Sequence, residues 1–133
     1  MTTAMVGRNA PDFHLESTTP PGLRTHRVSL EGYRGRWLVV VFYPRDFSIV
    51  CPTELTALGE KIDEFRAHGA EILGISTDSV ESHERWIAAP KSQGGLGVLG
   101  YPLAIDPEDR ALCMAEIARL FPGAPCPLEV ARV

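Results

Sequence analysis

The sequence predicts an α/β layered fold with a mostly parallel central sheet flanked by helices. Three observations predict it. Trp37-Leu38-Val39-Val40-Val41-Phe42-Tyr43 is an unbroken β-branched and aromatic run, the pattern of a strand buried on both faces. Leu55, Leu58, Ile62 and Phe65 recur at helical spacing directly after it. A second apolar run and a second helical pattern then repeat the order, as right-handed crossovers between parallel strands require.

Taken in order, residues 1–27 are polar and punctuated by Pro11, Pro20 and Pro21, which reads as short strands and turns. The first long strand ends at Pro44. The helix carrying Leu55 to Phe65 stops at Gly69, the place of a C-terminal capping glycine. Glu71-Ile72-Leu73-Gly74-Ile75-Ser76 is the second strand. Asp78-Ser79-Val80-Glu81 has capping-box spacing and opens a helix through Trp86 and Ile87. A Gly-rich loop runs from Pro90 to Tyr101, followed by a strand-like turn. Asp106 and Pro107 then suit the N-cap and first turn of a third helix, which runs toward Leu120 and is broken by Pro122-Gly123.

The 133 residues suit one domain spanning 1–133 and can bury a core without metal or disulfide staples. The 12 Gly and 11 Pro make the chain loop-rich. A net charge of −4 offers no basic surface to nucleic acid or anionic membranes. No apolar run is long enough to span a bilayer, and Met1 to Met5 has no charged and apolar leader pattern. The 3 cysteines are odd in number and widely spaced, which suits a reducing, cytoplasmic compartment rather than a disulfide framework. His14, His26, His68 and His83 are scattered without ligand spacing, so no metal site is expected and each reads as a surface residue.

The turn after the first long strand reads Pro44-Arg45-Asp46-Phe47-Ser48-Ile49-Val50-Cys51-Pro52-Thr53-Glu54. Cysteines are most often small buried hydrophobes. Cys51, however, stands between a buried strand and the first turn of a helix. Free N–H groups there carry partial positive charge and favour the nucleophilic thiolate. Ser48 brings a hydroxyl three residues before it, and the two prolines stiffen the turn.

Pro44-x-x-x-Ser48-x-x-Cys51 with Pro52-Thr53-Glu54 resembles the signature of the peroxiredoxins. Ala10-Pro11-Asp12-Phe13 is similar to the family's N-terminal entry. Ser82-His83-x-x-Trp86, Gln93-Gly94-Gly95-Leu96-Gly97 and Tyr101-Pro102-Leu103-x-x-Asp106 are similar to the typical two-cysteine branch that includes alkyl hydroperoxide reductases. The resemblance implies a thioredoxin-like fold of the peroxiredoxin type. It implies a thiol peroxidase that reduces hydrogen peroxide and small organic hydroperoxides with no cofactor. Cys51 would be the peroxidatic nucleophile, Pro44 its shield, Ser48 a donor to the peroxide, and Glu54 the partner of a distal arginine. It further implies an external thiol reductant such as thioredoxin, and a homo-oligomer.

The likeness covers roughly residues 6–112. The tail, residues 113–133, diverges, so the late strands are expected to be missing and the chain to be incomplete or divergent there. The distal arginine would fall near Pro127, where none stands; Arg119 and Arg132 are its neighbours in sequence. Cys126, between Pro125 and Pro127, and Cys113 are the candidates for a resolving thiol. Two alternatives stay open at this point: a catalytically impaired binding or regulatory module, and a general thiol–disulfide exchanger.

Overall fold

The computed structural model describes residues 9–21, 25–43, 45–47, 51–106 and 128–132. An antiparallel pair, β1 (His14–Glu16) and β2 (Arg27–Ser29), precedes the main sheet. The sheet takes the order β5-β4-β3-β6, from β3 (Trp37–Phe42), β4 (Ala70–Ser76), β5 (Leu103–Ile105) and β6 (Leu128–Arg132). Strands β3, β4 and β5 are parallel, with Val41 opposite Gly74 and Gly74 opposite Leu103. Helices α1 (Cys51–Glu60) and α2 (Ile62–Ala67) cross from β3 to β4, and α3 (Val80–Ala88) crosses from β4 to β5.

The two-residue period of the strands divides the core. Val39, Val41 and Ile72 face the helices and pack with Tyr43, Leu55, Trp86, Leu96, Tyr101 and Leu103. Leu38, Leu73 and Ile75 face the other way, against Phe13, Val28 and Tyr33 below the β1–β2 pair. At the amino ends of the strands Glu71 holds Arg36 at 3.1 Å and Arg66 at 3.3 Å. The turns that lead from β3 into α1 and from β4 into α3 lie at the opposite, carboxyl ends.

Three sequence expectations are corrected. The single helix from Leu55 through Phe65 is two, because Lys61 leaves helical geometry with φ −102° and ψ 6°. The expected capping Asp78 is displaced by one residue: Ser79 caps α3, its hydroxyl accepting from the Ser82 N–H at 3.2 Å. A late strand is present after all. Leu128–Arg132 pairs antiparallel to β3, with Val130 opposite Val39 and Arg132 opposite Trp37. It occupies the edge of β3 that β4 leaves open, where unpaired N–H and C=O groups would otherwise need water. The expected third helix lies outside the described residues. No described helix is long and apolar enough to cross a membrane.

Candidate active site

Parallel strands bring their carboxyl ends to one side of a sheet, and the loops leaving that side carry function. Here β3 ends at Phe42 and is prolonged by the Tyr43 N–H, which donates to Ile75 O at 3.1 Å. The chain turns through Arg45, Asp46 and Phe47, and α1 begins at Cys51. Cys51 is thus the first residue of a ten-residue helix, where backbone N–H groups have no partner within the helix. Glu54 stands in the same first turn, half-buried. The first turn of α1 is anchored in the core: Leu55 is buried, and its carbonyl accepts the Tyr101 hydroxyl at 2.6 Å.

Beside this turn lies a buried polar cluster. Asp46 is almost fully buried, and His83 and Tyr43 are buried more deeply still. The Tyr43 hydroxyl donates to Asp46 Oδ1 at 2.9 Å. His83 Nδ1 lies 2.9 Å from Asp46 Oδ1 and 2.7 Å from Oδ2. On the far side of the ring, Nε2 lies 3.2 Å from the Ala104 carbonyl of β5. The Asp46 N–H in turn donates to Asp78 Oδ2 at 2.5 Å, which explains why Asp78 is not the helix cap. Burial, with the Asp46 charge next, drives the Tyr43 phenol far above its ordinary value, so it stays protonated and donates.

An aromatic layer covers the cluster. The Trp86 ring centre is 5.7 Å from that of Tyr43 and 6.0 Å from that of Phe47. Trp86 Nε1 donates to Gly94 O at 2.8 Å. Phe47 is 53% exposed and has φ +56°, a left-handed conformation that L side chains with a bulky ring rarely adopt. Such strain at the turn before Cys51 persists only when its surroundings hold it, as Trp86 and the Asp46 contacts do here.

The glycines of the 94–97 loop have specific work. Gly94 (φ +79°) closes a short 3-10 turn, Lys91–Gln93, and Gly97 (φ +69°) is also left-handed. A Cβ on Gly95 would collide with the Ala89 carbonyl at the end of α3.

Of the residues the sequence pointed to, Cys51 begins α1 and Glu54 is in its first turn. Pro44, Ser48, Cys113, Cys126 and Arg119 lie outside the described residues, and Arg132 is in β6. The reading of His83 as a surface histidine is wrong: it is fully buried and paired. Its signal was in the sequence, since Val80, His83, Trp86 and Ile87 share one helical face, and an apolar stripe buries what lies on it. Tyr43 and Asp46 were not singled out either; the hydrogen bonds that define them reach across 37 and 40 residues. Among the described residues no group of three His, Cys, Asp or Glu side chains could hold a metal ion.

The AhpC/TSA family model matches residues 6–119. Peroxiredoxin-1 of Gallus gallus is 45% identical over 103 residues, covering 77% of this chain and 51% of its own length. Peroxiredoxin-2 of Mus musculus is 42% identical over 103 residues, with the same coverage of 77% and 51%. The crystal structure of the reduced 2-Cys peroxiredoxin of Plasmodium vivax superposes with a TM-score of 0.72 at 30% identity, over 88% of this chain and 57% of that one. The chain spans about half the length of the curated relatives it matches.

Proposed function

The chain belongs to the AhpC/TSA family, the peroxiredoxins, and from that membership we propose that it is a thiol-dependent peroxidase acting through Cys51. The observation that carries this reading is the start of α1 at Cys51, at the carboxyl end of a central parallel strand and within the family's Pro44–Glu54 pattern.

The chemistry follows from that position. The Cys51 thiolate attacks one peroxide oxygen. An S–O bond forms, the O–O bond breaks, and the leaving oxygen departs as water or alcohol after taking a proton. The products are a sulfenic acid on Cys51 and a substrate reduced by two electrons. A second thiol then attacks the sulfenic sulfur, releasing water and forming a disulfide. Two further thiols of an external reductant such as thioredoxin restore the starting state. N–H groups at the start of α1 favour the thiolate. Donors aimed at the oxygen that gains charge lower the barrier. Ser48 is proposed as such a donor, Pro44 as a shield from water, and Glu54 as the acceptor that orients a cation. Cys126 and Cys113 are the proposed resolving thiols.

The same reading takes hydrogen peroxide and small organic hydroperoxides as substrates and needs no cofactor. It places a single domain over residues 1–133, with a divergent tail from 113, in the cytoplasm. It takes a homo-oligomer, dimer or larger, as the working form, with no nucleic acid or membrane partner.

Peroxide consumption coupled to thioredoxin and its reductase tests the proposal. Cys51→Ser should lower the rate to that of the protein-free control, whereas equal rates in the native and Cys51→Ser proteins would overturn it.

A further inference from the structure

We propose that His83 is a positioning residue for Cys51, acting through Asp46 as a proton-bearing clasp on the turn between β3 and α1. The inference rests on the reading of Cys51 as the nucleophile. What it adds is the group that holds the nucleophile's turn in place.

The two ring nitrogens of His83 face different acceptors. Nε2 faces the Ala104 carbonyl at 3.2 Å, and a carbonyl only accepts, so Nε2 carries hydrogen. Nδ1 faces both oxygens of Asp46, at 2.7 and 2.9 Å. The Tyr43 hydroxyl, 3.2 Å from Nδ1, has its one proton on Asp46 Oδ1. A bare Nδ1 would therefore set its lone pair against a carboxylate. Moving the proton from Nε2 to Nδ1 only transfers the conflict to the Ala104 carbonyl. The pair is satisfied only when it holds one proton beyond neutral imidazole and carboxylate. That proton makes the contact a charge-assisted hydrogen bond, the strong kind, inside a buried site.

The clasp joins three elements. His83 lies on α3, its Nε2 is tied to β5, and Asp46 belongs to the turn that delivers Cys51 five residues later. Asp46 is held a second time through its backbone, by Asp78 at the start of α3. The titratable groups facing His83 are Asp46 and Tyr43, with Asp78 one hydrogen bond further out. Phe47, next to Asp46, sits in its left-handed conformation. Releasing Asp46 would let Phe47 relax and shift the start of α1.

Two variants separate the halves of the clasp. His83→Asn sets an amide nitrogen where Nδ1 lies and can still donate to Asp46. His83→Gln sets it where Nε2 lies and can donate only to Ala104. The readout is the rate at which iodoacetamide alkylates Cys51, resolved by peptide mass spectrometry, because it reports the thiolate whether or not the protein reduces peroxide. His83→Gln should slow alkylation of Cys51 about tenfold, the size expected for losing one charge-assisted hydrogen bond, and His83→Asn should restore most of it. A merely structural role would lower the melting temperature of both and leave their alkylation rates alike. Asp46→Asn, equal in size to the native residue, keeps the test decisive if the histidine variants do not fold, and it should also react about tenfold more slowly. Equal rates in the two histidine variants, or a native rate in Asp46→Asn, overturns the proposal. If native protein and Cys51→Ser consume peroxide equally, the peroxidase reading falls, while the alkylation ratios still judge the clasp.

Discussion

Cys51 illustrates what one residue owes to its place in the backbone. Its neighbours in sequence put it between a strand and a helix, and α1 does begin there. The turn before it is fixed by side chains from elsewhere: Asp78 through the Asp46 N–H, and His83 through the Asp46 carboxylate. Tyr101 likewise anchors the first turn of α1, its hydroxyl held by the Leu55 carbonyl. Tyr101→Phe removes that buried bond while keeping the ring. It should lower stability by about 1 kcal/mol in urea titration, the net worth of one buried hydrogen bond. A slower reaction of Cys51 with iodoacetamide without a loss of stability would show instead that this bond acts on the site. The place of Cys51 at a helix start was legible because such a start is a local pattern, whereas Glu54 was picked out by the family resemblance. His83 was not read as buried, although its spacing from Val80 and Trp86 placed it on the apolar face.

At the scale of elements, α3 and the loop after it support the site from outside. The α3 cap is one residue later than the capping-box spacing suggested, because Asp78 is engaged by the cysteine turn and Ser79 caps in its stead. Ser79→Ala should therefore cost about 1 kcal/mol, measured by chemical denaturation. Asp78→Ala should instead act on the Asp46 turn. The far end of α3 is closed by the glycine loop. The Leu96 N–H donates to Trp86 O and the Gly95 N–H to Pro90 O, both at 3.0 Å. Gly95→Ala drives a methyl against the Ala89 carbonyl and should destabilise by about 1–3 kcal/mol. Gly32→Ala is its control: the added Cβ there meets only the Ser29 hydroxyl, at an ordinary 3.6 Å. Equal losses in the two variants would contradict this steric account. That this loop contained glycines for a steric reason could not be read from the sequence, since the obstructing carbonyl belongs to another element.

At the scale of the whole molecule, all 3 tyrosines of the chain are buried: Tyr33, Tyr43 and Tyr101. Burial raises each phenol above its ordinary value. Tyr33 reaches about 12, with Glu71 adding to the rise and Arg36 opposing it. Tyr43 and Tyr101 are raised further. In the unfolded chain they ionise near the ordinary phenol value of about 10. Above that pH the unfolded state binds fewer protons than the native state, so stability falls as pH rises. For Tyr33 the contribution is whole below pH about 10 and is lost on the way to pH about 12. Phenolate absorbance should therefore stay low until the far-ultraviolet circular dichroism collapses, and then rise in the same step. Phenolate signal that grows while the circular dichroism is still native would overturn this.

The sequence by itself determined the alternation of strands and helices, the burial of β3 on both faces, and the junction at which Cys51 stands. Each is a local pattern, set by the spacing of apolar residues and by glycine and proline at element ends. Tertiary structure alone decided three things: that helix formation breaks at Lys61, that Leu128–Arg132 closes the open edge of β3, and that His83 meets Asp46. The last two depend on groups far apart in the chain. An edge strand chooses its partner by unsatisfied backbone groups, and a buried imidazole survives only where both of its nitrogens find partners. Residue spacing could place His83 on a buried face, but neither its partners nor the free edge of β3 can be read from it.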